Sequence, residues 1–314
     1  MTASWQPVAT RETMVVRARL RQRIRGFFAE RKVLEVETPL LVSAAAADPN
    51  VPVLAVTPHD RSSNCFLHTS PEHAMKRLLS GGFGDIYQLV PVFRDGEQGR
   101  QHNPEFTLLE WYRCGFDHHR LADETIDLLR CLLGELPKVT RIAYCDAFQR
   151  WAALNPLTSD SAELAAATAS QGGDPGWPRG VQQDYLFGTV VAPQLTGLTV
   201  VFDYPAEQAA LARLKPADPR LAERFEVFID GVEIANGFHE LADAAEQRQR
   251  FEAERKRYAA SGRVVPPTDE RLLAALEAGL PDCAGVAVGF DRIVMRVTGS
   301  DDIRSVMAFP HGEN

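Results

Sequence analysis

Glu226 and Glu233 lie on either side of an Asp230-Gly231 pair in the run RFEVFIDGVEIANGFHEL. Asp-Gly between alternating apolar residues is a strong hairpin signal. A two-residue turn at 230–231 pairs Ile229 with Val232 and Phe228 with Glu233. Glu226 and Glu233 then share a face, offset by two residues and within reach of one ion. Like charges this close repel unless a cation separates them. An all-oxygen site suits Mg²⁺, which usually keeps water and substrate phosphates in its shell. The plainer reading of the same residues is two solvated carboxylates on an edge hairpin. By the same count Asn236 faces away from Glu233 unless a bulge intervenes, and Gly237 is the expected place for it.

A second group lies between Phe93 and Tyr112, FRDGEQGRQHNPEFTLLEWY. Arg94, at a strand end beside Asp95, suits a phosphate or carboxylate gripped bidentately. Phe106 can stack on a heterocycle, although an aromatic at a strand start is more often core. Glu110 and Tyr112 are two apart and share a face, an arrangement that suits an ammonium group or a structural hydrogen bond. Ser70-Pro71-Glu72 opens a helix with Ser as N-cap and Pro first, so Glu72 taken alone complements the helix dipole. His118-His119 falls in an expected loop and has no assigned role.

Several chemistries are excluded by pattern. No GxxxxGK[ST] loop, helix-opening GxGxxG or HExxH is present, and no GxSxG elbow. A net charge of −8 argues against broad electrostatic binding of nucleic acid. Apolar residues make up 45% of the chain and charged residues 24%, as in a soluble globular protein. The five cysteines never fall in a CxxC spacing, which disfavours structural zinc and a disulfide framework. The N-terminal residues contain no leader-like apolar core and no run is long enough to span a membrane, so the cytoplasm is the expected compartment.

The elements that would position these groups follow from periodicity. Val16, Leu20, Ile24 and Phe27 or Phe28 mark a helix over 11–32, whose seven arginines read as a solvated face. A short strand at 33–36 ends at Thr38-Pro39. Strands are expected at 86–93, 106–112 and 200–204, and helices at 121–133, 205–214, 243–260 and 269–278. A strand–helix pair closes the chain at 286–298. Residues 153–183 are Ala-, Gly- and Pro-rich with weak periodicity and read as a variable surface insertion. With no repeat and no break in composition, residues 1–314 are expected to form a single domain.

As an ordered set these segments resemble the catalytic domain of class II aminoacyl-tRNA synthetases, and within it the lysine-specific branch. Gly26 through VLEVETP resembles the first class II motif, Phe93-Arg94 through Tyr112 the second, and Gly289-Phe290-Asp291-Arg292 the third. SPEHAMKRLL, YPAEQAALARL, RFEVFIDGVEIANGFHEL and GVAVGFDR match the lysine branch, so the likeness spans 11–298. It implies an α+β fold, an antiparallel sheet flanked by helices, and a homodimer formed through the first motif. About ten residues precede that motif, so no anticodon-binding domain is expected. This resembles the subfamily that acts on elongation factor P rather than tRNA. Its implied reaction is ATP-dependent activation of (R)-β-lysine, then transfer to a lysine ε-amine of that factor. The alternatives are a lysine-activating enzyme that serves tRNA or another acceptor, and an idle regulatory paralogue.

The resemblance also assigns roles. Arg94 and Arg292 are the implied catalytic arginines. ATP contacts are implied for Arg94, Asp95, Gly96, His102, Asn103, Phe106, Glu226, Val227, Gly289 and Arg292. Ser70, Pro71, Glu72, Glu110, Tyr112, Glu233, Asn236, Glu240 and Ala287 are implied around the amino acid, with Mg²⁺ on Glu226 and Glu233. Two departures stand out. Gly96 occupies the place of the usual motif 2 glutamate, with Glu97 one position later. Ala287 replaces a usual glycine, and its added methyl favours β-lysine over α-lysine.

Overall fold

The computed structural model describes residues 5–48, 51–57, 65–260 and 262–312. The first four residues, part of the leader reading, lie outside these. The strands are β1 Leu34–Glu35, β2 Leu41–Val42, β3 Leu54–Val56, β4 Cys65–Leu67, β5 Ile86–Phe93 and β6 Glu105–Cys114. They continue with β7 Val139–Ala143, β8 Leu198–Pro205, β9 Leu214–Lys215, β10 Asp218–Ile229, β11 Val232–His239 and β12 Cys283–Gly289. The helices are α1 Arg11–Glu30, α2 Glu72–Ser80, α3 His118–Leu133, α4 Tyr144–Ala152, α5 Ser161–Ser170, α6 Arg179–Leu186, α7 Ala244–Ala259, α8 Glu270–Gly279 and α9 Phe290–Thr298.

Nine strands form one sheet in the order β1-β5-β6-β12-β11-β10-β8-β7, with β9 against β10. Only the outer pairs β1–β5 and β7–β8 run parallel. The expected α+β architecture is therefore present. Side-chain alternation along the central strands assigns the two faces. Leu109 and Trp111 of β6, Val286 and Val288 of β12, and Phe225 and Val227 of β10 pack against Leu20, Ile24 and Phe28 of α1, Leu128 of α3 and Ile293 of α9. Phe28 stacks on Tyr87 with ring centroids 4.3 Å apart and meets Trp111 edge-on. The neighbours Leu108, Glu110, Tyr112, Ala287 and Glu226 line the opposite face and its cavities.

Thr10 caps α1 by accepting from the Thr13 amide at 3.2 Å, and the apolar stripe places the helix as its spacing predicts. Its arginine face is not wholly solvated. Arg17 forms a buried ion pair with Asp291 and lies over the Phe290 ring, with Arg21 also near that ring.

Other expectations change. Asp117 caps α3 by accepting from the Arg120 amide at 2.7 Å, so His118 and His119 are its first two residues rather than a loop. The helix expected at 205–214 shrinks to a single 3₁₀ turn, Ala206–Gln208. Ala210 takes φ +48 there, and the chain turns to pair Leu214 with Ala222 of β10. The 153–183 stretch contains α5 and the start of α6. A capping box, Asp160 with Glu163, starts α5, and Leu164 and Leu186 join Tyr144, Phe148, Tyr204 and Phe228 in a separate cluster.

The β10–β11 hairpin turns at Asp230-Gly231 and pairs Phe228 with Glu233, as expected. Its register then shifts, Val227 facing Ala235 and Glu226 facing Asn236. Ile234 is the extra residue, so the bulge precedes Gly237, and Asn236 faces the same side as Glu226. Gly237 has another cause. A Cβ there would overlap the Phe225 ring and press on Val286. We expect Gly237→Ala to destabilise the protein by about 1–3 kcal/mol in urea unfolding. By contrast, Gly26→Ala, in open space on α1, should stabilise it by about 0.5–1 kcal/mol.

Candidate active site

The uncovered face of the sheet carries a cleft of about 1160 Å³, which runs into a narrower pocket of about 300 Å³. Leu108, Asn236 and Ala287 line both.

Arg94 follows β5 directly, and its backbone amide donates to Pro104 O at 2.8 Å, which closes the base of the 93–105 loop. Its guanidinium lies 5.0 Å from the centre of the Phe106 ring and 3.5 Å from the Glu97 carboxylate. The left-handed Gly96, φ +73, turns the chain here. Glu97 lines the cleft, whereas Asp95 and Gly96 are exposed and line none of the cavities. Asn103 is buried and already engaged, donating to Glu105 O at 2.6 Å and accepting from the His311 amide at 3.0 Å. Arg292, in the first turn of α9, donates to Glu233 O at 2.6 Å and lies 3.0 Å from His102 Nε2. Gly289 caps that helix at the cleft. Val227 belongs to the core on the other face, so only its backbone can touch a ligand in the cleft.

Glu226 and Glu233 both line the cleft. Burial pushes the Glu226 carboxyl up to about 7, against the pull of Arg224, and the neighbouring Glu233 charge adds to the rise. Tyr204 donates to Glu226 at 2.7 Å and Arg224 ion-pairs with it. Each oxygen keeps a further lone pair. Glu233 is half-exposed, with only Arg292 nearby at 3.9 Å. Two partly free carboxylates lining one cleft, the Glu233 charge adding to the rise in Glu226, fit a hard divalent cation.

The narrower pocket is built from α2, β6, β12 and the end of β11. The N-cap of α2 is Pro71, one residue later than the sequence suggests. Ser70 accepts from the Glu72 amide at 3.0 Å and donates to Glu110 at 2.7 Å, and Tyr112 donates to the other oxygen of Glu110 at 2.7 Å. Glu240 lies 2.5 Å and Glu72 2.8 Å from the ammonium of Lys76, which is 1% exposed. Burial works against that charge, but Glu240 and Glu72 outweigh it and hold the ammonium above the usual lysine range. Burial raises Glu110 to about 7, with the Glu72 charge next, and Glu240 to about 8 despite Lys76. Gly285 forms the floor, where a Cβ would overlap the Tyr112 ring and Glu240. Once all three carboxylates are ionised they outnumber the one resident cation by two, the complement of a diamino compound.

Lys76 and Arg224 belong to this site although sequence reasoning did not single them out. Lys76 had a usable signal, the i,i+4 spacing from Glu72 on one helix face. Arg224 had another, two residues before Glu226 on one strand.

Comparison with known proteins agrees with this geometry. The family described as tRNA synthetases class II (D, K and N) matches residues 5–313. Proteins named elongation factor P–(R)-β-lysine ligase from Vibrio cholerae and Klebsiella pneumoniae subsp. pneumoniae are each 46% identical, over 98% of both chains. One from Salmonella paratyphi B is 45% identical over the same share.

A dication entering the narrower pocket requires Glu110 ionised, and burial keeps its proton on up to about pH 7. Binding therefore releases a proton below that pH. We expect the KM for a diamino acid to rise about tenfold per unit as pH falls below 7, measured in ATP–pyrophosphate exchange. Glu110→Gln, which cannot ionise, should weaken that dependence, leaving the part due to Glu240, and raise KM throughout.

Proposed function

The chain belongs to the class II tRNA synthetase family (D, K and N), and from that premise we propose that it activates (R)-β-lysine with ATP. The aminoacyl group is then transferred to a lysine ε-amine of elongation factor P. The observation that carries this reading is one sheet face holding arginines and paired glutamates at one end and a pocket of three carboxylates around one lysine at the other. The relatives named as ligases match over 98% of both chains, which favours the protein acceptor over tRNA. A lysine-activating enzyme that charges tRNA is the second reading, favoured only by the lysine-like pocket.

In the first step the substrate carboxylate attacks the α-phosphorus of ATP and pyrophosphate leaves. A carboxylate is already ionised at neutral pH, so no general base is needed, only alignment and charge neutralisation. Arg94 is set to bridge the carboxylate and α-phosphate, and Arg292 to meet the γ-phosphate. Phe106 offers its ring to the adenine, and Asn236 its amide to the substrate carboxylate. Glu226 and Glu233 would hold Mg²⁺, which when bound neutralises phosphate charge and orients the leaving group. Glu97, beside Arg94, takes the part of the motif 2 carboxylate that Gly96 cannot supply.

In the second step the acceptor amine attacks the adenylate carbonyl and AMP leaves. Only about one lysine amine in 2,500 is neutral at pH 7, so docking that strips water from the acceptor amine raises the rate.

Ala287 lies between Asn236 and Glu110 in the cross-strand register, at the junction of cleft and pocket. Its methyl fills the space beside the α-carbon of a bound lysine, and moving the amine to the β-carbon relieves the contact. The chain is read as one catalytic domain, dimeric through the α1–β1 segment, where Leu34 is 51% exposed. Among the described residues no helix is long and apolar enough to cross a membrane. We place the protein in the cytoplasm with its acceptor.

We expect (R)-β-lysine to stimulate ATP–pyrophosphate exchange more than α-lysine, with label appearing on elongation factor P. No exchange with either amino acid would end the reading, and label on tRNA would favour the alternative. Glu233→Ala should lose most exchange. Ala287→Gly should shift the kcat/KM ratio toward α-lysine by about 10–200-fold, while an unchanged ratio would remove Ala287 from the specificity argument.

A further inference from the structure

On the other side of the β10–β11 ladder lies a cluster that adenylation does not use. His118 at the start of α3, Glu223 of β10 and His239 of β11 bring one donor atom each within 4.8 Å of one another, and all three are buried. His239 Nδ1 lies 2.7 Å and His118 Nδ1 4.0 Å from the same oxygen of Glu223. The outer nitrogens face carboxylates too, His239 Nε2 at 2.8 Å from Asp282 and His118 Nε2 at 3.9 Å from Asp203. His118 is 3% exposed, and neither of its ring nitrogens forms a hydrogen bond. A buried imidazole without partners is uncommon in a folded protein.

We propose that His118, Glu223 and His239 bind a Zn²⁺ ion that pins the start of α3 to β10 and β11. Two imidazoles and a carboxylate are a borderline donor set that zinc accepts readily. Tetrahedral donors on bonds of about 2.0–2.2 Å sit about 3.4 Å apart, so closure asks His118 to move toward Glu223 from 4.0 Å and His239 to draw back from 2.7 Å, each by less than about 1 Å. Asp282, 2.8 Å behind His239, supplies the carboxylate–histidine–metal relay that fixes ring orientation, and Asp203 stands 3.9 Å behind His118. Charge agrees: Asp203, Glu223 and Asp282 face only two cations, Arg213 and Lys215. Arg213 shares the Glu223 oxygen at 2.7 Å, so the guanidinium orients that carboxylate alongside the ion. The exposed His119 ring lies tilted against His118, with ring centroids 4.1 Å apart. His118 lies more than a hundred residues before Glu223 and His239, so no spacing signature joins the three, and only the fold assembles them.

The test uses the full chain, stripped with chelator, then titrated with Zn²⁺ by calorimetry and with Co²⁺ by visible absorption. Excess Mg²⁺ is present throughout to occupy Glu226 and Glu233. We expect about one equivalent of Zn²⁺ bound and tetrahedral Co²⁺ bands. Both should vanish in His118→Asn and His239→Asn and persist in Glu233→Gln. No binding by the wild type under excess Mg²⁺ would overturn the proposal, as would histidine variants that bind like it. Should those variants fail to fold, X-ray absorption of the zinc-loaded wild type decides: two nitrogen donors support the site and an all-oxygen shell rejects it.

Discussion

One carboxylate, Asp291, joins the three segments on which the site stands. It opens α9, ion-pairs with Arg17 of α1, and accepts from the Thr107 amide of β6 at 2.6 Å. Arg17 also donates to Val306 O at 3.1 Å. Both side chains are withdrawn from water, and breaking one partner of such a pair costs about 3–5 kcal/mol. The position of Arg292, one residue on, follows from this anchor, as does the register between β6 and the helices behind it. Arg292, which faces the cleft, is thus held by an anchor that reaches α1 behind the sheet.

The wet side depends on alternation being kept, and in one place on its being broken. Without the extra residue at Ile234, Asn236 would point into the core and Phe238 out of the narrower pocket. With it, Glu226, Asn236 and Ala287 stand in a row across three strands. A single inserted residue converts a hairpin that holds carboxylates into one that also presents an amide to the substrate.

Most of this was legible wherever the signal was local. Apolar period, the Asp-Gly turn and the ordered motifs located α1, the end of β11 and the end of α9 within a residue or two, while β10 begins five residues and β12 three residues before the expected starts. Legibility failed where non-local contacts overrode local preference. The 205–214 run has helical composition but is drawn into pairing with β10. Residues 153–183 owe their helices to packing against Tyr204 and Phe228, distant in sequence. The place of the bulge could not be read, because Gly237 is explained by crowding from Phe225 rather than by backbone freedom. Lys76 was hidden because a lysine in a helix reads as solvated.

That buried lysine gives the pocket a property that neither its shape nor its charge expresses. Its ammonium spans Glu72 and Glu240 before any substrate arrives, so the cavity already holds one copy of the group it is built to recognise. Carboxylates that would otherwise repel, protonate or reach for the surface are kept in binding geometry by a tethered stand-in. The empty protein is thereby pre-organised, and an incoming diamine meets a half-filled lattice of charges rather than a site it must assemble.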